Sequence, residues 1–458
     1  MADQTDPLSD YQAVRGSPWL VGRCAAAVVH RLRMYLYRLN FRVLSTPCWL
    51  WFLRNLFAFL RKVRPIARLG PMLITTRHAD VCEVLLRQPS FNTGEAMTPR
   101  MPMGPMVQSI DWPDQHRAER AAIQHALKQV EENQEDYPSL RALVLRRCDR
   151  MIPAPGTPLT LNVARDLTEE VALDVATDFF GVGKTCDREI LRAILRRLAS
   201  QIFRAPPPGS EAALQIQQAM NELLRIARED VERIKTDLAA PPPSAPLLDH
   251  FLAREKGPNA PPWLTEDWAL RNAASLAVFG TATTARAMTQ SIFWLLRLPG
   301  AAEAAHEAAR AYHSDPTSLR QRKKVLRIVL EGMRFNPMLP ILGPRTALRD
   351  VHLASGTPGR CPIRAGQTVL PPPLAAMFDP EVFAEPDRFI LDREIELDTY
   401  LHFGHGPHLC VGKRAAEIQF EEVLTALFRH SNLRLADGPR TRIEYDGPAV
   451  ERLLVTNA

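Results

Sequence analysis

The chain has 458 residues, 46% of them hydrophobic and 24% charged, with 57 Lys and Arg against 51 Asp and Glu for a net charge of +6. This is the composition of a globular, soluble protein, and its mild basicity suits an acidic protein, anionic lipid or nucleic acid without selecting among them. No zinc-finger spacing or RNA-binding signature is present, so nucleic acid is set aside as a partner; the seven scattered cysteines, with no CxxC, exclude a disulfide framework and predict a reducing compartment, the cytoplasm.

The polar start, residues 1–11, is not followed by a charged-then-apolar signal peptide, and no apolar run is long enough to span a bilayer. Residues 17–63 mix arginine with large apolar side chains. Residues 28–42 carry Arg among Leu, Met, Tyr and Phe at helical spacing. Residues 49–63 are strongly apolar, with Arg54 inside and Arg61 and Lys62 at the end. Two readings are open: a helix lying on an anionic membrane surface, or, preferred, helices packed on the main domain with their arginines on the wet face. Arg54 argues against a spanning helix in either case.

After Pro65, residues 71–76 are rich in strand-favouring types and residues 77–86 have a helical apolar pattern. In Asp111-x-Pro113-x-x-His116-x-x-x-Arg120, Pro113 is placed to open a helix. His116 and Arg120, four apart, share one face and suit a pair of carboxylates; alone, such a pair is more simply a solvated face. Residues 138–181 read as helical, and 187–203 and 211–238 as amphipathic helices. Between and after these two lie Pro-rich breaks at 205–209 and 239–246, read as loops within one domain.

Residues 263–297 are the longest periodic stretch, with Thr265 as N-cap and Glu266 and Asp267 in the first turn. At ~1.5 Å per residue such a helix crosses a whole domain. Its middle, Phe279-Gly280-Thr281-Ala282-Thr283-Thr284, is weakly helix-forming, which predicts a local kink with room for a small ligand or water. Residues 325–335 hold Glu331 and Arg334 three apart on an apolar helix, and a buried carboxylate there needs further partners. Residues 337–343 are apolar and stiff, making Met338, Leu339, Ile341 and Leu342 candidates for a substrate-contacting wall; Arg345 follows.

The richest stretch is Phe403-Gly404-His405-Gly406-Pro407-His408-Leu409-Cys410-Val411-Gly412, after which a helical pattern begins. A helix starting there aims backbone N–H groups and a positive dipole end at the sulfur, and a thiolate is the metal-binding form of cysteine. Gly404, Gly406 and Gly412 let a flat ligand lie close to the backbone. This suits an axial haem ligand better than zinc, which needs several Cys or His at short spacing.

Phe403-x-x-Gly406-x-x-x-Cys410-x-Gly412, with His408 inside it, resembles the haem-binding signature of the cytochrome P-450 superfamily, the haem-thiolate monooxygenases. The resemblance runs from about Pro65 to the end and rests on four separated motifs in order. It implies a mainly α fold with small β-sheets (α+β), a helix-rich prism around a buried haem. That haem domain would span 65–458, with 1–64 as a basic, apolar helical extension.

The resemblance also implies haem b with Cys410 thiolate as axial ligand, lying against Phe403, Gly404, Gly406 and Gly412, with His116, Arg120, Arg345 and His408 meeting its propionates. Glu-x-x-Arg resembles a second hallmark, in which Glu331, Arg334 and Arg388 form a structural triad. The helices over 187–203 and 211–238 match a mobile roof over the substrate channel. In the long helix the family reads small–Gly–x–acid–Thr. Gly280 and Thr283 match, whereas Ala282 replaces the proton-relaying acid and Phe279 replaces a small residue, narrowing the space above the haem.

The implied activity is a bacterial-type soluble monooxygenase that inserts one oxygen atom from O2 into an apolar small molecule. Electrons would come from a separate ferredoxin, since no flavin or NAD motif is visible, with Lys413 and Arg414 steering the acidic partner. Ala282 keeps open a peroxide-using enzyme of the same fold, and a non-catalytic haem protein is the third alternative.

Overall fold

The computed structural model describes residues 46–458 except 70–71, 88–89, 94–102, 131–137, 204–209, 236–244, 356–358 and 447–448. Thr46 caps the first described helix, α1 (Pro47–Val63), by accepting from the Trp49 N–H. The helix buries Leu50 and Phe57 against Phe335, Leu374 and Phe378. Its arginines are turned inward, which corrects the expectation that they would face water. Arg61 donates to the carbonyls of Thr76, Phe378 and Ala375 at 2.9, 3.1 and 2.5 Å and lies 3.6 Å from Asp379. Arg54 sits 4.7 Å from the Phe378 ring centre and 3.7 Å from Asp387. The cause is local: buried carbonyls and Asp379 need donors, and the arginine stems reach them. Residues 28–42 lie outside the described residues.

The chain then forms a hairpin of β1 (Ile66–Leu69) and β2 (Met72–Thr75), with Ile66 opposite Thr75. The main sheet has the order β1-β2-β8-β5-β3, where β3 is Phe91–Asn92, β5 Arg345–Ala347 and β8 Thr368–Leu370. Leu73 of β2 lies beside Val369 of β8 in parallel register, and both are buried with Ile66 and Phe91. β4 (Thr160–Asn162), β9 (Arg434–Leu435) and β12 (Leu454–Thr456) form a second sheet. The pairs β6 (Val351–Leu353) with β7 (Cys361–Ile363) and β10 (Glu444–Asp446) with β11 (Ala449–Arg452) are separate hairpins.

Helices make up the rest. After α2 (His78–Leu86), Pro113 opens α3 (Pro113–Val130), followed by α4 (Pro138–Met151). The helical reading of 138–181 is corrected: Pro153, Pro155 and Gly156 stop α4, and β4 intervenes. Helix then resumes as π-helical turns (Val163–Thr168 and Val175–Phe179) around α5 (Glu169–Asp174). Next come α6 (Arg188–Phe203), α7 (Glu211–Lys235) and α8 (Leu247–Glu255). α9 (Glu266–Leu295) has Thr265 as cap and is buried on most sides, and α10 (Ala301–Ser314), α11 (Leu319–Arg334), α12 (Pro373–Ala376) and α13 (Lys413–Leu427) complete the set.

Helix runs unbroken from Glu266 to Leu295 through its weakly helix-forming middle, where the Thr283 hydroxyl donates to the Phe279 carbonyl at 2.7 Å. Packing against α5, α6, α11 and α13 overrides the weak local propensity. The main core gathers on α9, with Ala273, Ala277 and Leu295 fully buried beside Leu173, Leu223, Ile328 and Leu427. Among the described residues no helix is long and apolar enough to cross a membrane.

Candidate active site

The loop that carries Cys410 is built from two one-turn helices, Leu401–Phe403 and Gly406–His408, joined through Gly404 and His405. Gly404 and Gly406 have φ of 77° and 72°, in the left-handed region where a Cβ is strained. At Gly406 a Cβ would stand 2.8 Å from the Leu85 carbonyl oxygen. Its missing side chain therefore seats the loop on the end of α2, not a ligand, which corrects the reading of that glycine. At Gly412 nothing lies within 4 Å of the Cβ position. The Cys410 N–H donates to the Phe403 carbonyl at 2.9 Å and closes the loop. Burial raises the pKa of the Cys410 thiol; the Gly412 N–H bond to the sulfur, Arg120 and Lys413 act the other way. Gly412 caps α13, so the sulfur sits at a helix N-terminus.

Four nitrogen groups gather beside this loop. His116 and Arg120 come from one face of α3, and the His116 and His408 rings are 4.4 Å apart. Arg120 donates to the Leu409 carbonyl at 2.6 Å, and Arg345, at the head of β5, donates to that of Gly343 at 2.8 Å. Burial lowers the Arg345 pKa to about 10, against the pull of Asp111. His408 stands 3.9 Å from Asp111 Oδ1, and both of its ring nitrogens are buried without a hydrogen-bond partner. Burial, then His116, Arg345 and Arg120, push its pKa down to about 3. His116 is lowered to about 4 by burial and Arg120. The site has more buried donors than acceptors, and a ligand bearing carboxylates would supply what is missing.

Between this cluster and α9 lies a cavity of about 250 Å³. Leu276, Phe279, Gly280, Thr283, Thr284 and Ala287 of α9 line one side; Phe403, Gly404, His408, Cys410, Val411 and Gly412 line the other. Met333, Met338, Leu339, Leu342, Leu85 and Phe180 wall it, and Gln108 and Arg345 reach it. The predicted Phe279, Gly280, Thr283, Met338, Leu339 and Leu342 thus come together.

Two predicted residues do not. Ile341 is 37% exposed and does not line the cavity, because the stiff segment turns it outward. Ala282 lines a separate small cavity on another side of α9, beside Glu169, Arg192, Arg196 and Arg286. Phe180 was missed by the sequence reading. A Cβ on Gly280 would stand 2.9 Å from Phe180 Cε2, so Gly280 makes room for that ring.

The triad is also corrected. Glu331 and Arg334 are fully buried and paired at 2.8 Å, but the second arginine is Arg393, whose Nε donates to Glu331 at 3.1 Å. Arg388 points to the surface, where it pairs with Glu385, and only its carbonyl joins the network by accepting from Arg334 and Arg393. Tyr400 and the Ile390 N–H complete the shell of Glu331 at 2.9 and 3.2 Å. Lys413 pairs with Asp398 and Arg414 with Glu421 and Glu417. Both cations are therefore neutralised within the chain, which removes them as free steering charges.

The family model described as Cytochrome P450 matches residues 199–455, more than half of the chain. Cytochrome P450 105C1 of a Streptomyces species is 26% identical over 324 residues, covering 65% of this chain and 75% of its own. Cyclomarin C epoxidase CymV of Salinispora arenicola is 26% identical over 313 residues, covering 68% of this chain and 71% of its own. The crystal structure of P450BioI in complex with hexadec-9Z-enoic acid ligated acyl carrier protein superposes with a TM-score of 0.68 at 23% identity, covering 89% of this chain and 98% of that one. It shares the helix-rich fold with small sheets.

Proposed function

This chain belongs to the cytochrome P450 family of haem monooxygenases, and from that premise we propose that it inserts one oxygen atom into an apolar small molecule, with electrons from a separate ferredoxin-type donor. The family's cofactor is haem b with a cysteine thiolate ligand. The residues present fit that group: a buried sulfur, open space at Gly412, and a buried His408 ring whose nitrogens lack partners, its N–H among them. Cys410 would hold it, and Arg120, Arg345, His116 and His408 would take its carboxylates. When bound, haem supplies the activation of O2, and the thiolate favours O–O cleavage.

The observation that carries the substrate class is the apolar cavity under α9. Leu276, Phe279, Met338 and Leu342 offer an apolar molecule a largely apolar wall. Phe279 narrows that space. Thr283 holds a hydroxyl at the cavity, and its proton points to the Phe279 carbonyl until the side chain rotates. Among the described residues no carboxylate lines the cavity, so a proton arriving there would pass through water held by Thr283 and Thr284. The same observation supports a second reading, use of hydrogen peroxide, which needs no such delivery.

The test is product formation from a panel of apolar substrates. It is driven in parallel by a ferredoxin/NAD(P)H system and by hydrogen peroxide, for wild type and Ala282→Asp. Turnover of wild type with ferredoxin supports the monooxygenase reading. Turnover of wild type with peroxide alone overturns it in favour of the second reading, whether or not Ala282→Asp gains ferredoxin-driven activity. No product by either route overturns both.

A further inference from the structure

We propose that the outward face of α1 is a docking surface for an anionic phospholipid membrane, on which the protein rests without spanning it. A helix on a protein surface ordinarily turns its charges to water and its apolar side chains inward. α1 does the reverse on one side. Trp51, Phe52, Phe59 and Val63 are 60, 47, 61 and 67% exposed, while Arg54 and Arg61 are turned inward and only 14 and 10% exposed. The inward arginines are tied to Asp387, Asp379 and three backbone carbonyls. The aromatic side therefore faces outward as a consequence of how α1 is held.

Charge selects the occupant. Between Asp10 and Asp80 the sequence holds twelve Lys and Arg and no Asp or Glu. Lys62 and Arg64, at the end of α1, and Arg68 on β1 are exposed. The exposed Lys62, Arg64 and Arg68, in a stretch of sequence without Asp or Glu, repel a second copy of this face and attract a sheet of negative charge. Aromatic rings beside basic residues suit the headgroup boundary, where the rings enter and the cations meet phosphate. Among the described residues no helix, the 17-residue α1 included, is long and apolar enough to cross a membrane, so α1 would lie along the surface. This inference does not depend on the catalytic reading.

The test is co-sedimentation of the full-length haem-loaded protein with vesicles of phosphatidylcholine alone and of equal parts phosphatidylcholine and phosphatidylglycerol. Binding is expected to the anionic vesicles, weaker by roughly tenfold or more to the neutral ones, and reduced by added salt. Trp51→Ser with Phe59→Ser should weaken anionic binding by roughly tenfold or more, and Lys62→Glu with Arg64→Glu should reduce the preference for anionic lipid. The substituted side chains are exposed, so circular dichroism and the haem spectrum should stay unchanged. As a second measurement, brominated lipid should quench tryptophan emission more in wild type than in Trp51→Phe. The proposal is overturned by any of three results: no partitioning of wild type, partitioning that the aromatic substitutions leave intact, or capture of an acidic protein without partitioning into vesicles.

Discussion

Removing Arg393 should destabilise the protein strongly, and removing Arg388 should not. Glu331 is fully buried and accepts from Arg334, Arg393, Tyr400 and the Ile390 N–H. Burial works to raise its pKa, but Arg334, Arg393 and Tyr400 together outweigh it, so the carboxylate is held below its ordinary value. The Arg393 side chain is 4% exposed and also donates to the carbonyls of Ala384, Glu385 and Arg388. Taking one partner from a buried ion pair costs about 3–5 kcal/mol. Arg393→Ala leaves Glu331 and Arg334 as a neutral pair, which favours the lower end, while three lost donations favour the upper. With about 2.1 cal/mol/K per residue, unfolding a chain of 458 residues changes entropy by roughly 1 kcal/mol/K. Tm should therefore fall by about 3–5 °C. The exposed Arg388–Glu385 pair should be worth about 0.5 kcal/mol or less, or about half a degree. Far-ultraviolet circular dichroism during heating at one fixed rate measures both. Equal losses in Arg388→Ala and Arg393→Ala would refute the assignment of Arg393.

Cys410→Ala should abolish thiolate ligation, and a variant that kept the wild-type thiolate absorption spectrum would remove the basis of the site. Phe279→Ala should admit bulkier apolar ligands, read as spectral shifts across a size series; an unchanged series would show that Phe279 does not limit the cavity. Gly280→Ala places a methyl 2.9 Å from Phe180 and should cost about 1–3 kcal/mol of unfolding free energy, largely restored by Phe180→Leu. His402 is held neutral, with its pKa lowered to about 4, chiefly by burial. The unfolded chain then takes up a proton first, and stability falls as pH drops from about 6.5 toward about 4. His402→Gln keeps a donor for the Leu330 carbonyl and should shrink the loss between about pH 7 and about pH 5 by roughly 2 kcal/mol, measured by urea unfolding.

Features set by neighbours in sequence were legible in advance. Cys410, its glycines and the helix that follows form a local unit, and His116 with Arg120 needed only helical spacing to share a face. Phe279, Gly280 and Thr283 were placed together by the same periodicity. What failed depended on distant packing. Arg388 and Arg393 both lie in an irregular loop with no period to say which one turns inward, and burial of Glu331 decides it. The orientation of α1 follows from carbonyls and Asp379 more than 300 residues away in sequence. The weak middle of α9 stays helical because its neighbours hold it, and Ile341 turns outward although it is as apolar as Met338. Phe180 left no sign except the glycine opposite.

The contact between Gly406 and Leu85 bears on how the protein is assembled. Ribosomes release the Leu85 end of α2 more than 300 residues before the cysteine loop, and the loop sits against the Leu85 carbonyl with no room for even a methyl group. A chain that has emerged only as far as α11 has no cysteine loop to offer, whatever else has folded. The cysteine loop therefore docks onto a surface made more than 300 residues earlier in the chain, and cofactor capture waits until both segments have been synthesised.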